Sequence, residues 1–131
     1  MARRLKELPV YHEALKLCAA VNAILDRPAF GRDRRLRDQI SAASESILAN
    51  MAEGFEQPTD AALERYLFVS KGSTAEVRAR LGSAHRRNFI TAGELHSCTM
   101  LCEEIERMLG GWIGYLARCG WKDRGRRGLK S

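Results

Sequence analysis

From Leu36 onward the apolar residues Leu36, Ile40, Ala43 and Ile47 recur at steps of four, three and four, the periodicity of one α-helical face and not of a strand. Such a stripe is stable only when other helices cover it, so it dictates an assembly of helices around itself. The next position on the stripe is Asn50, a polar amide where an apolar residue is due. Ser46 and Glu53 flank it at helical spacing, so Ser46, Asn50 and Glu53 form a polar strip on a face expected to be packed. Buried amides and carboxylates without partners cost kilocalories, and Arg65, Ser73 and Glu76, beyond the next turn, are the expected partners. Alanine at Asn50 or Arg65 is expected to lower stability by about 1–3 kcal/mol. Gly54 is expected to supply the left-handed residue that closes the helix.

The run from Gln39-Ile40 through Ser46-Ile47 and Asn50 to Ala52-Glu53-Gly54-Phe55 resembles the signature of the 23S rRNA intervening-sequence proteins. Arg65-Tyr66-Leu67, Gly72-Ser73 and Glu76 are similar to that family's second block, and the likeness extends from Leu8-Pro9-Val10-Tyr11 to Leu116. The segment from Arg107-Met108 to Trp112-Ile113 is also similar to the accessory variability proteins of diversity-generating retroelements, which share the fold. The resemblance implies a four-helix bundle assembled into five-fold rings, with a reverse transcriptase among the implied partners. Two departures stand out. Leu48 occupies a place where the family commonly has proline, which implies a straighter second helix, and Ser41-Ala42 replaces a common arginine, which removes a charged role there.

The rest of the chain supplies three more helices. Pro9 suits a first helical turn, and Val10, Ala14, Leu17, Val21 and Ile24 follow it as one stripe, with Tyr11, Leu15, Cys18 and Leu25 beside it. Arg27-Pro28 ends that helix, because proline disfavours helical geometry in the residue before it. Asp33 is the expected N-cap of the second helix. Arg34, Arg35 and Arg37 then sit at the unfavourable positive end of the helix dipole, either as a solvated surface run or facing an acidic partner. Thr59 or Asp60 caps the third helix, whose expected core stripe is Leu63, Leu67, Ser70, Val77, Leu81 and Ala84. Arg65, Val69, Gly72 and Glu76 share another line on it, and Gly72 is expected to admit a neighbouring backbone. Thr91-Ala92-Gly93-Glu94 has the form of a capping box, with Phe89-Ile90 as a staple before it. Leu95, Cys98, Cys102, Ile105, Leu109, Trp112, Leu116 and Cys119 form the fourth stripe.

These readings place helices at about residues 9–27, 33–53, 60–87 and 92–118. The fold class is all-α, an antiparallel up-and-down four-helix bundle over residues 1–120. Residues 121–131 are a basic C-terminal tail. Of the net charge of +6, the stretch from Arg118 to Ser131 contributes +5, with Arg118, Lys122, Arg124, Arg126, Arg127 and Lys130 against Asp123. Glycines at 120, 125 and 128 make this stretch an expected mobile arm. The longest segment without a polar side chain, Met108 to Ala117, falls far short of the roughly 20 residues of a membrane span. The basic start lacks the apolar stretch of a secretory signal, so a bacterial-type cytoplasmic protein with reduced cysteines is expected.

No enzyme chemistry is expected. Di-iron bundles require Glu-x-x-His, and none of His12, His85 or His96 has a glutamate three residues before it. Cys98 and Cys102, with His96, offer half a metal site, but both cysteines fall on a core stripe where thiols act as small hydrophobes. Neither metal nor cofactor is expected. The strip of Ser46, Asn50 and Glu53 with Arg65 and Glu76 reads as a network that sets helix register, because no nucleophile–base pair accompanies it. The arm suits phosphate neutralisation by counterion release, in RNA or DNA, against the blander reading of a solubilising tail. Surplus apolar stripes on helices one, three and four lead us to expect self-association, a homo-oligomer with a pentamer implied by the resemblance. The alternative to a nucleic-acid binder is a protein-binding scaffold or an accessory subunit of a reverse transcriptase.

Overall fold

The computed structural model describes residues 4–123, with side chains described to residue 119. Four helices carry the fold: α1 (Pro9–Leu25), α2 (Arg34–Phe55), α3 (Asp60–Arg86) and α4 (Ala92–Asp123). Among the described residues there is no strand, only two short 3-10 turns, Leu5–Glu7 and Pro28–Arg32. Each helix packs against its neighbour in sequence and α4 closes against α1. The neighbours run antiparallel: as numbers rise along α2 they fall along α3, so Gln39 bonds Arg80, Ser46 bonds Ser73, and Ile47 bonds Ser70.

The helix ends follow local chemistry. The Asp33 carboxylate accepts from the Leu36 amide at 3.0 Å and starts α2, and the Thr59 hydroxyl accepts from the Ala62 amide at 3.2 Å and starts α3. Thr91 and Glu94 form the reciprocal capping box, with the Glu94 amide donating to Thr91 Oγ1 at 3.1 Å and the Thr91 amide donating to Glu94 Oε1 at 2.8 Å. At the end of α3, Asn88 takes a left-handed φ of 63°. The Phe89 amide reaches back to the Ala84 carbonyl and the Asn88 amide to that of His85, both at 2.9 Å. This closure leaves Phe89 buried against Phe30, with ring centroids 5.2 Å apart. The 3-10 turn thereby delivers a fully buried aromatic, Phe30, which plugs this pole of the bundle.

The core runs the length of the bundle, from Val10 and Ala14 on α1 to Ile113 and Leu116 on α4. On α4 the buried line passes through Ile113, and Trp112 lies half-buried beside it near Phe55. α4 continues through Asp123, beyond the end expected at about residue 118, so the backbone at Trp121 and Lys122 is helical. Residues 124–131 lie outside the described residues. The surplus apolar surface is smaller than the stripes imply, because Tyr11, Leu101 and Met108 pack against the core. Among the described residues, Leu15, Phe68, Val69, Met100 and Tyr115 are the large apolar side chains left exposed.

Candidate functional site

The polar groups that single out α2 meet α3, but not all of them do so. The buried face of α2 turns from Ile47 to Met51 and Gly54 rather than to Asn50, which sits half-buried at the edge of the seam. From there Asn50 Nδ2 donates to the Ser46 carbonyl and to Ser46 Oγ, both at 2.9 Å. Ser46 Oγ lies 2.8 Å from Ser73 Oγ across the seam. Deeper in, Ser70 Oγ donates to the Ile47 carbonyl at 2.8 Å and Thr74 Oγ1 to the Ser70 carbonyl at 2.8 Å. Among the described residues every buried side-chain nitrogen and oxygen has a partner.

Glu53, Arg65 and Glu76 are not part of this ladder. Glu53 and Arg65 are exposed, and neither side chain pairs with another among the described residues. Glu76 accepts from Arg80 on its own helix at 2.8 Å. The physical reason is angular. A helix advances about 100° per residue, so Ser46, Asn50 and Glu53, each one residue before the buried Ile47, Met51 and Gly54, lie along the rim of the packed face, and Arg65, two residues from both Leu63 and Leu67, points away from it.

Gly54 does not close α2 by a left-handed residue; it is buried inside the helix. A Cβ there would stand 2.8 Å from Tyr66 Cβ and 3.0 Å from Leu63 Cδ1. Its role is the close approach of α2 to α3. Gly72 shows the opposite: it is exposed, and among the described residues nothing lies within 4 Å of its Cβ position, so no neighbouring backbone approaches it there.

Three of the four thiols, Cys18, Cys98 and Cys102, are core groups. Burial pushes the Cys102 thiol up to about 12, with the neighbouring Cys98 acting in the same direction, and burial also raises Cys98. Cys18 is raised by burial too, opposed in part by its hydrogen bond with Ser44, whose Oγ donates to Cys18 Sγ at 3.1 Å. Such thiols stay protonated, whereas nucleophiles and metal ligands need the thiolate.

Of the basic residues assigned to the tail, Arg118 is exposed on α4 and Lys122 lies in its last turn. Arg124, Arg126, Arg127 and Lys130 fall outside the described residues.

A second basic region escaped the sequence reading. At the opposite pole, where α2 begins and α3 ends, a cleft of about 420 Å³ is lined by Arg35, Arg80, Arg86 and Arg87 with Gln39 and Ser83. Asp33 is its one acidic residue, so the lining carries a net +3. Arg87 pairs with Asp33, and Arg80 Nη1 donates to Gln39 Oε1 at 2.9 Å. Arg86 Nη2 donates to Ser83 Oγ at 3.0 Å. The available signals were Arg34, Arg35 and Arg37 at the wrong end of a helix dipole and the pair Arg86-Arg87 at the end of α3; only their convergence was hidden.

These features define a helical bundle whose interior polar groups are spent on holding two helices together. The family model described as 23S rRNA-intervening sequence protein matches residues 6–111, and the chain belongs to that family. Among solved structures it is similar to a protein of unknown function from the S23 ribosomal protein family of Bacteroides thetaiotaomicron VPI-5482. The TM-score is 0.72 at 20% identity, covering 79% of this chain and 97% of that one. At that identity the likeness speaks for the fold. No curated protein matches the chain. No helix of the described residues is long and apolar enough to cross a membrane.

Proposed function

We propose that the chain is a cytoplasmic, non-enzymatic bundle that self-associates, with a pentameric ring as the expected assembly, and binds RNA or DNA through backbone charge. The observation that carries this reading is the distribution of charge: +5 of the net +6 falls between Arg118 and Ser131. Cations spread among glycines neutralise phosphates without reading sequence, and several copies held together turn weak contacts into avidity. Support for association comes from Phe68 and Val69, 55% and 49% exposed on the outer side of α3 beside the open Gly72.

The same apolar patch favours a second reading, a scaffold for another protein such as a reverse transcriptase. One experiment separates the two. The full chain and a form truncated after Asp123, which keeps α4 whole, are titrated with a labelled structured RNA over a range of salt, with mass followed by light scattering. The expected outcome is an oligomer whose affinity and salt slope both fall on truncation. Unchanged affinity in the truncated form overturns the arm as the site, and recovery of a polymerase without nucleic acid favours the scaffold.

A further inference from the structure

We infer that the arginine-lined cleft between the start of α2 and the end of α3 is a second seat for nucleic-acid phosphate, independent of the tail. It deepens the nucleic-acid reading above and rests on it.

Stability accounts for some of this cleft's charges and not for others. Arg86 and Arg87 end α3, where cations complement the negative end of the dipole. At the start of α2 the preference is reversed: acidic residues belong there, yet its first turn holds none and instead carries Arg34 and Arg35. These two make no ion pair among the described residues, whereas Arg37 reaches Asp38 at 3.5 Å and the Leu25 carbonyl at 3.3 Å. The local acid is already spent, because Asp33 both caps α2 and pairs with Arg87. Two guanidinium groups outside any ion pair among the described residues, Arg35 on α2 and Arg86 on α3, therefore face one concavity, with Arg86 held by its hydrogen bond to the Ser83 hydroxyl. A phosphodiester oxygen placed between them gains forked N–H donors from both sides and the positive end of the α2 dipole behind them. The lining, which is arginine, Gln39, Ser83, Asp33 and Leu36, holds no aromatic ring on which a base could stack. The seat is therefore suited to backbone contact without base readout.

Its place in the fold separates it from the arm. α2 spans 22 residues, about 33 Å of helix, and α4 ends, at Asp123, at the other pole. Two contacts so far apart act independently, so their losses should multiply.

The test uses four full-length or truncated proteins: the unaltered chain, Arg35→Ala with Arg86→Ala, truncation after Asp123, and the combination. Each is titrated with a labelled RNA hairpin and with duplex DNA of equal length from low to high salt, and with a poly-glutamate peptide of matched charge. Both arginines are exposed and outside any ion pair, so circular dichroism melts should stay unchanged and report intact folding. The inference expects the double substitution to weaken nucleic-acid binding roughly tenfold or more and to reduce the log–log salt slope by about 2, in the long and the truncated protein alike. If the substitution leaves affinity and slope unchanged while truncation lowers them, the cleft is overturned and the nucleic-acid reading stands. If the unaltered chain binds neither RNA nor DNA, both fall. A substitution-sensitive affinity for poly-glutamate with none for nucleic acid overturns the cleft as a phosphate seat and assigns it to an acidic protein.

Discussion

The two sides of α3 are built by different rules. Its side toward α2 is close and polar: Ser70, Ser73 and Thr74 each have a hydrogen-bond partner, and Gly54 on the facing helix has no room for a methyl group. The outer side carries Arg65, Phe68, Val69 and Gly72, all exposed, with open space over the glycine. Two glycines that look alike in sequence thus do opposite things. A glycine in a helix costs roughly 1 kcal/mol relative to alanine, so it needs compensation from outside its own backbone. For Gly54 that compensation is inside the chain. For Gly72 it is not, which is consistent with the proposal that another copy covers this side.

The largest contrast should therefore appear on adding one methyl group. Gly54→Ala forces α2 and α3 apart and should destabilise the chain by about 1–3 kcal/mol, whereas Gly72→Ala should stabilise an isolated chain by up to about 1 kcal/mol. Urea melts of both variants check this, and equal effects of one sign would erase the distinction between the two sides.

A chemical contrast comes next. The hydroxyls facing α2 do not titrate in the accessible range, but the buried thiol of Cys102 on α4 does. With Cys102 raised from 9.0 to about 12 in the folded chain, the unfolded chain gives up its proton first. The stability present below pH 9 is then lost as pH rises from 9 toward 12, by up to about 1.4 kcal/mol per pH unit. Melts between pH 8.5 and 10.5 should show this slope, and Cys102→Ala should flatten it; an identical slope in the variant would remove the thiol as the cause.

The smallest effect separates residues once grouped in one network. Asn50→Ala strips Ser46 of a partner and should cost about 1 kcal/mol. Arg65→Ala, on the outer side, should stay within about 0.5 kcal/mol. A loss at Arg65 as large as that at Asn50 would mean that the outer side is covered in solution.

What could be read in advance follows from the range of the forces involved. Asp33, Thr59, Thr91 and Glu94 act on amides two or three residues away, so the starts of α2, α3 and α4 were legible from local order alone. The closure at Asn88 was missed because asparagine tolerates a left-handed φ only less readily than glycine, and its neighbours gave no other sign. The Ser46–Ser73 link was legible because hydroxyls at matching helical positions need partners somewhere.

By itself, the sequence determined four helices, their antiparallel order, and most of the residues each one buries, since periodicity and short connections leave little else. Only the tertiary structure decided which of two glycines is crowded, which members of a polar strip turn inward, and that arginines more than forty residues apart line one cleft. Those outcomes depend on the rotation of one helix against another, a few tens of degrees that spacing along a chain does not specify.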